Sequence, residues 1–266
     1  MPLSQASLPP GQALVREALD QAWFMHHNPE TLPAADIDIV WAVSAPGTAE
    51  ETAYFPEGPK NPYNGTSYNQ DIIEHAASTV VEVTARRLGK TPEEVTREDI
   101  LHHGPILLYN GESPTTKNTR FPNQNADFLK ICEAEGFPVP PEKIAVGEIS
   151  EAHTPAQVQQ LAQYLMATPS LTNCRSIAVV CGLPHTVRTG RYLKKFESSF
   201  PEGVRFVALP VEQGDAVKAS TLVALETRKA VAYLAIGHLA PDSVFFQEAI
   251  PGGQGRPRNL LRGGQA

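Results

Sequence analysis

The chain is poor in cysteine, has no excess of basic residues, and contains no apolar run long enough to span a bilayer. Cys132, Cys174 and Cys181 are an odd number with no C-x-x-C spacing. That excludes a disulfide framework and a zinc ribbon, and predicts buried free thiols in a reducing compartment. The 22 Lys and Arg are outnumbered by 29 Asp and Glu, for a formal net charge of −7. No basic cluster interleaved with aromatics offsets that field, so a nucleic-acid partner is not expected. A local basic pocket for a small anion is compatible with the same balance. The start, Met1 to Pro10, has neither a basic segment nor a continuous apolar stretch, which predicts no signal peptide. No membrane partner is expected, and the expected location is cytoplasmic.

Familiar catalytic signatures are also missing. No G-x-G-x-x-G follows the first predicted strand, which runs instead into Ser44-Ala45-Pro46-Gly47. There is no Walker A sequence and no G-x-S-x-G elbow; Asn110-Gly111-Glu112-Ser113 is a superficial echo of the latter. Eight histidines include no H-x-x-x-H or H-E-x-x-H pattern, so no metal site is expected.

What remains is the composition of an ordinary globular protein. Across 266 residues, 41% are hydrophobic and 19% charged, enough to bury a real core. Short apolar runs at Ile37 to Val43, Pro105 to Tyr109, Lys143 to Val146, Ser176 to Cys181 and Val204 to Leu209 read as strands. Helical spacing appears at Gly11 to His27, Asn69 to Leu88, Thr91 to His103, Gln124 to Glu135, Thr154 to Ala167, His185 to Glu197 and Ala219 to His238. Thr91-Pro92-Glu93-Glu94 and Thr154-Pro155-Ala156-Gln157 have the form of capping boxes, and Gly89 and Gly136 supply stops. Continuous rather than alternating apolar strands, separated by helices, predict an α/β fold. The expected form is a Rossmann-like three-layer α/β/α sandwich with a mainly parallel sheet of about five strands. The whole of 1–250 reads as one domain, with a Gly-rich flexible tail at 251–266. The aperiodic stretch Ser44 to Tyr68 reads as a lid or binding loop, with a disordered insertion as the alternative.

The run Ser176-Ile-Ala-Val-Val-Cys-Gly-Leu-Pro-His185-Thr-Val-Arg188 points to the site. A buried strand ends at Cys181-Gly182 and a helix begins at once, with Pro184 suited to its first position. Ligands of open α/β sheets bind beyond the carboxyl ends of the strands, where helix N-termini offer free N–H groups. His185 and Arg188 are three apart and so share a helix face. A guanidinium there suits bidentate capture of phosphate or carboxylate, and the helix end favours a neutral imidazole, able to serve as a base or as a donor. The alternative is that His185 caps the helix and Arg188 makes a surface ion pair. Ser44, Asn110, Gly111, Glu148 and Thr154 follow other predicted strands and, with Gly182 at the end of this one, complete the ligand-binding set. Glu112 is the candidate second carboxylate for acid–base work. Thr154 also has an explanation as an N-cap, and Glu148 as a solvated surface group. Lys117 and Arg120 face either the crevice or water.

The order of these motifs resembles the YdcF/SanA/ElyC superfamily. The likeness is carried by Asp38-Ile-Val-Trp-Ala-Val, by Ile106-Leu-Leu-Tyr-Asn-Gly111, and by Gly136-Phe-Pro with Ile144 and Glu148. His153-Thr-Pro-Ala-Gln157 and the closing Val179-Val-Cys-Gly-Leu-Pro-His185-Thr-Val-Arg188 complete it, over about 36–209. Gly182 and Cys181 stand where the family has Ser and Thr, and Gln157 replaces an Asn. The resemblance implies a Rossmann-like fold with a polar crevice, in the soluble YdcF-like branch. It also implies an S-adenosylmethionine or other nucleotide-like ligand. The expectation is therefore a protein that binds a small phosphorylated or nucleotide-like molecule. In an enzyme, His185 would serve as acid or base and Arg188 as anion clamp. The alternatives are a non-catalytic cofactor binder and an interaction protein with a vestigial crevice.

Overall fold

The computed structural model describes residues 37–44, 70–111, 124–149, 153–171, 173–211, 216–241 and 243–245. The predicted N-terminal helix, the stretch following Ser44, the loop holding Glu112, Lys117 and Arg120, and the Gly-rich tail lie outside the described residues.

Five parallel strands form one sheet, β1 (Ile39–Ala42), β2 (Ile106–Tyr109), β3 (Ile144–Val146), β4 (Ser176–Gly182) and β5 (Arg205–Val211). Their order across the sheet is β3-β2-β1-β4-β5. β1 is central: Ile39 stands opposite Ile106 on one side and Ile177 on the other. Every residue of β1 and β4 is buried, which is why their sequences are apolar without alternation. Helices cover both faces of the sheet, giving the expected three-layer α/β/α sandwich.

One face carries α1 (Gln70–Leu88), α2 (Arg97–His103) and α3 (Gln124–Cys132). Ile72, Ile73, Ala76, Val80 and Val83 of α1 pack there with Val40, Leu107 and Tyr109 of the sheet. The Phe128 ring of α3 stacks on Tyr109 with centroids 4.6 Å apart. The other face carries α4 (Thr154–Ala167) and α5 (Leu183–Lys195), with α6 (Ala216–Ala235) packed against α5. Val158, Leu161 and Leu165 of α4 meet Trp41, Leu108 and Val179 there.

Several boundaries differ from the sequence reading. The single helix expected over Thr91 to His103 is two pieces, a 3-10 turn at Pro92–Glu94 and then α2. Val95 is extended (φ −74°, ψ 124°), and Thr96 opens α2 with its own capping box, its hydroxyl accepting from Asp99 N–H at 3.1 Å. Gly89 does supply a stop, with φ of 65°, whereas α3 ends at Cys132, short of the expected Glu135, and Gly136 (φ 86°) lies in the turn beyond it. Asp38, the acidic residue leading β1, accepts from Arg175 N–H at 2.7 Å. It therefore ties down the start of β4, at the opposite end of the sheet from the crevice.

The three thiols are free; Cys174 and Cys181 are buried and Cys132 is half-buried. Burial pushes each of them up to about 12, which makes them inert as nucleophiles. Past α6 the chain returns to α5. Phe245 is 1% exposed, and its ring lies against Gly190, where a Cβ would come within 2.5 Å of Phe245 Cδ2.

Candidate functional site

The strand order reverses between β1 and β4, so the crevice beyond their carboxyl ends is the switch point of the sheet. Ser44 leaves β1 there, Gly182 ends β4 there, and α4 and α5 start beside them. The side chains converging on this place are Ser44, Asn110, Thr154, Gln157, His185 and Arg188. All but Arg188, which is partly buried, are buried.

Gly182 is the N-cap of α5 and Leu183 its first residue, so Pro184 takes the second position rather than the expected first. α5 therefore starts two residues before His185. Thr154 is likewise displaced by one place from the expected role. The N-cap of α4 is His153, whose Nδ1 accepts from Ala156 N–H at 3.1 Å. Thr154 is the first residue inside the helix, and its hydroxyl points to α5 instead. It lies 2.9 Å from His185 Nε2 and accepts from Arg188 Nη1 at 3.2 Å. His185 and Arg188, separated by three residues on α5, thus meet at one oxygen.

Burial, reinforced by the neighbouring Arg188 charge, pushes the His185 imidazole down to about 3. The ring is neutral throughout the physiological range. Arg188 is not the open clamp that the sequence leads one to expect. Its Nε donates to Glu226 Oε2 at 2.8 Å and its Nη2 to Glu226 Oε1 at 3.3 Å. Glu226 comes from α6 and is 8% exposed, so the pair is buried rather than a surface ion pair. Lys229, one turn further on, shares the carboxylate at 3.1 Å. Burial alone would raise the Glu226 carboxyl; Arg188 overrides it and holds the group down at about 2.

Asn110 and Gln157 form the other half of the site. Asn110 Oδ1 accepts from Trp41 Nε1 at 2.8 Å, and its Nδ2 donates to Gln157 O at 2.8 Å and Gln160 Oε1 at 2.9 Å. Both ends of this amide are thus used within the protein. Gln157 Nε2 faces the Ser44 hydroxyl, the Ser44 carbonyl at 3.2 Å and the Asn110 carbonyl at 3.1 Å. It stitches β1 and β2 to α4. Gly111 is buried and donates its N–H to Asn125 Oδ1 at 2.9 Å. A Cβ at Gly111 would come within 2.6 Å of the Tyr109 ring, which explains the glycine by packing. Glu148 is exposed, on the loop after the edge strand β3, two strands away from β1, and is not brought to His185.

Two buried side-chain atoms here have no hydrogen-bond partner, His185 Nδ1 and Gln157 Oε1. An unsatisfied buried polar atom costs about 1–3 kcal/mol, so two in one crevice are unusual. The sequence reading missed Glu226 and Lys229 altogether; an acidic residue in an otherwise apolar helical register was the one available signal. Gln157 entered that reading only as a family departure. Among the described residues no group of three or more His, Cys, Asp or Glu side chains is placed to hold a metal ion. No helix among them is long and apolar enough to cross a membrane. A groove of about 490 Å³ lined by Glu74, Lys130, Phe137 and Pro138 lies on the α1/α3 face, away from this site.

Compared with protein-family models, curated proteins and solved structures, the chain matches none of them. The likeness to the YdcF/SanA/ElyC superfamily therefore rests on the quoted motifs.

Proposed function

We propose that this protein binds a small polar molecule in the crevice beyond β1 and β4. His185 and Gln157 contact it, and an anionic group of the ligand, phosphate or carboxylate, lies on the Arg188 side. The observation that carries the reading is the Arg188–Glu226 pair. A buried ion pair seldom adds stability over apolar residues of the same size, because desolvation offsets its attraction. Here it sits at the switch point of a parallel sheet, beside a neutral histidine, and presents a guanidinium in the fork geometry suited to oxyanions. Glu226 occupies that fork from within. An incoming anion competes with it for Arg188, and Thr154 holds a third guanidinium N–H in place.

A binder with a neutral His185 is favoured over an acid–base enzyme by the depression of His185 to about 3. A general base works best with a pKa near the operating pH. His185 instead serves as a hydrogen-bonding group that costs little reorganisation. A nucleotide-like or S-adenosylmethionine-like ligand remains the class that the family resemblance implies, and Glu112, proposed as a second carboxylate, belongs to the enzyme reading.

Thermal unfolding of the full chain with added phosphate, adenosine monophosphate or S-adenosylmethionine tests this. An anion that occupies the Arg188 side raises the Tm of the parent, and raises it further in Glu226→Gln, where the internal competitor has lost its charge. If no anion moves the Tm of either protein, the reading is wrong.

A further inference from the structure

The hydrogen bonds around Gln157 and His185 fix the polarity that a ligand must have, an argument that rests on the ligand-binding reading above. The Gln157 amide nitrogen faces two backbone carbonyls, those of Ser44 and Asn110, at 3.2 and 3.1 Å. Carbonyl oxygens only accept, so the amide cannot be turned over without setting oxygen against oxygen. Gln157 Oε1 is therefore the atom left over, a buried acceptor without a partner in a residue only 1% exposed.

His185 is fixed by the same kind of accounting. The Thr154 hydroxyl accepts from Arg188 Nη1 and lies 2.9 Å from His185 Nε2. Its own proton needs an acceptor. Thr154 is the first residue of α4, so no earlier turn of that helix supplies a carbonyl for it. Among the described residues, His185 Nε2 is the acceptor within reach. Thr154 thus donates to Nε2, and the neutral ring carries its proton on Nδ1. Nδ1–H is a buried donor without a partner.

Thr154 and Gln157 are three residues apart and share one face of α4, and Thr154 holds His185 Nε2 at 2.9 Å, so the Gln157 and His185 side chains meet at the same end of α4. The crevice offers one donor and one acceptor. A fully ionised phosphate or carboxylate answers the donor but sets oxygen against Gln157 Oε1. A hydroxyl both accepts and donates, and neighbouring hydroxyls of one molecule span two such atoms.

We infer that the crevice selects a hydroxyl-bearing small molecule, a polyol or sugar, with His185 Nδ1–H donating to one of its oxygens and Gln157 Oε1 accepting from one of its hydroxyl protons. His185 is then a donor to the ligand and not a base. Its one basic nitrogen is already occupied by Thr154.

Long-range ¹H–¹⁵N spectra of the full chain test the polarity without any ligand. The expected pattern for His185 is the Nδ1–H tautomer, unchanged between pH 8 and pH 5; the Nε2–H tautomer overturns the inference. Titration with glycerol 3-phosphate against propyl phosphate tests the selection. Glycerol 3-phosphate is expected to shift the His185 ring signals and to saturate at a concentration at least tenfold lower, and Gln157→Met removes the difference. Equal saturation by the two phosphates overturns the hydroxyl inference and leaves the ligand-binding reading standing. No response to either overturns both. A preference for propionamide over 1,2-propanediol, which would satisfy the same two atoms with an amide, also overturns it.

Discussion

Arg188 and Glu226 are joined side by side, Nε to Oε2 at 2.8 Å and Nη2 to Oε1 at 3.3 Å, although they stand 38 residues apart. This contact ties α6 to α5. It also places a carboxylate where the sequence suggests an empty anion site.

Removing only the guanidinium takes the two-pronged partner from the buried Glu226 carboxylate and leaves it to Lys229. Arg188→Met is expected to lower stability by about 3–5 kcal/mol, and the double variant Arg188→Met, Glu226→Met to recover most of that loss. Urea unfolding of the parent, both single variants and the double variant measures the coupling. If Arg188→Met costs no more than a surface substitution, the pair is not the buried contact described here.

The pH dependence has a definite sign. His185 titrates at about 3 in the folded chain against an ordinary value of 6.5, so the unfolded chain takes up the proton first. Stability from this residue is complete above pH 6.5 and falls as the pH drops toward 3, by at most about 1.4 kcal/mol per pH unit. Glu226, held at about 2 against an ordinary 4.5, contributes in full above pH 4.5 and loses its contribution as the pH falls through 2. The loss is therefore expected to steepen below pH 4.5, where both residues act. Denaturant midpoints between pH 7 and pH 4 check this, with His185→Gln expected to flatten the upper part. A parent and variant with the same slope between pH 6.5 and 4.5 would rule out His185 as the source.

Asn110 is expected to behave as a structural bracket. Asn110→Ala removes the acceptor of the buried Trp41 Nε1–H and two donors to α4, and should cost about 1–3 kcal/mol. Indole fluorescence reports the change directly, through a shifted emission maximum in the folded state. An unshifted spectrum with unchanged stability would show that Trp41 and Asn110 are not partners.

The strands were legible because β1 and β4 are buried on both faces, which leaves runs such as Ile39-Val40-Trp41-Ala42 without a polar residue. α1 was legible from its periodicity and from Gly89. The break at Val95 was not, because Thr91 and Thr96 each offer a capping box, and nothing local chooses one helix over two turns. Thr154 was misread for a similar reason. His153 and Thr154 both precede Pro155, either can cap, and a hydroxyl held toward α5 makes Thr154 the worse cap of the two. His185 and Arg188 were found because they are near in sequence and follow a strand. Glu226 was hidden because its role exists only once α6 lies on α5.

The contact between Phe245 and Gly190 has a bearing on how the chain is made. Gly190 lies within α5, where the lack of a Cβ weakens the helix but admits the ring. α5 also carries His185 and Arg188, and its outer face is completed by residues made much later, Glu226 on α6 and then Phe245. Synthesis proceeds from the N-terminus, so the four strands through β4 can leave the ribosome while α5 still lacks its cover. A nascent chain halted before Phe245 would leave α5 uncovered at Gly190. The motif Ser176 to Arg188 thus leaves the ribosome well before the residues that pack against it, Glu226 and Phe245.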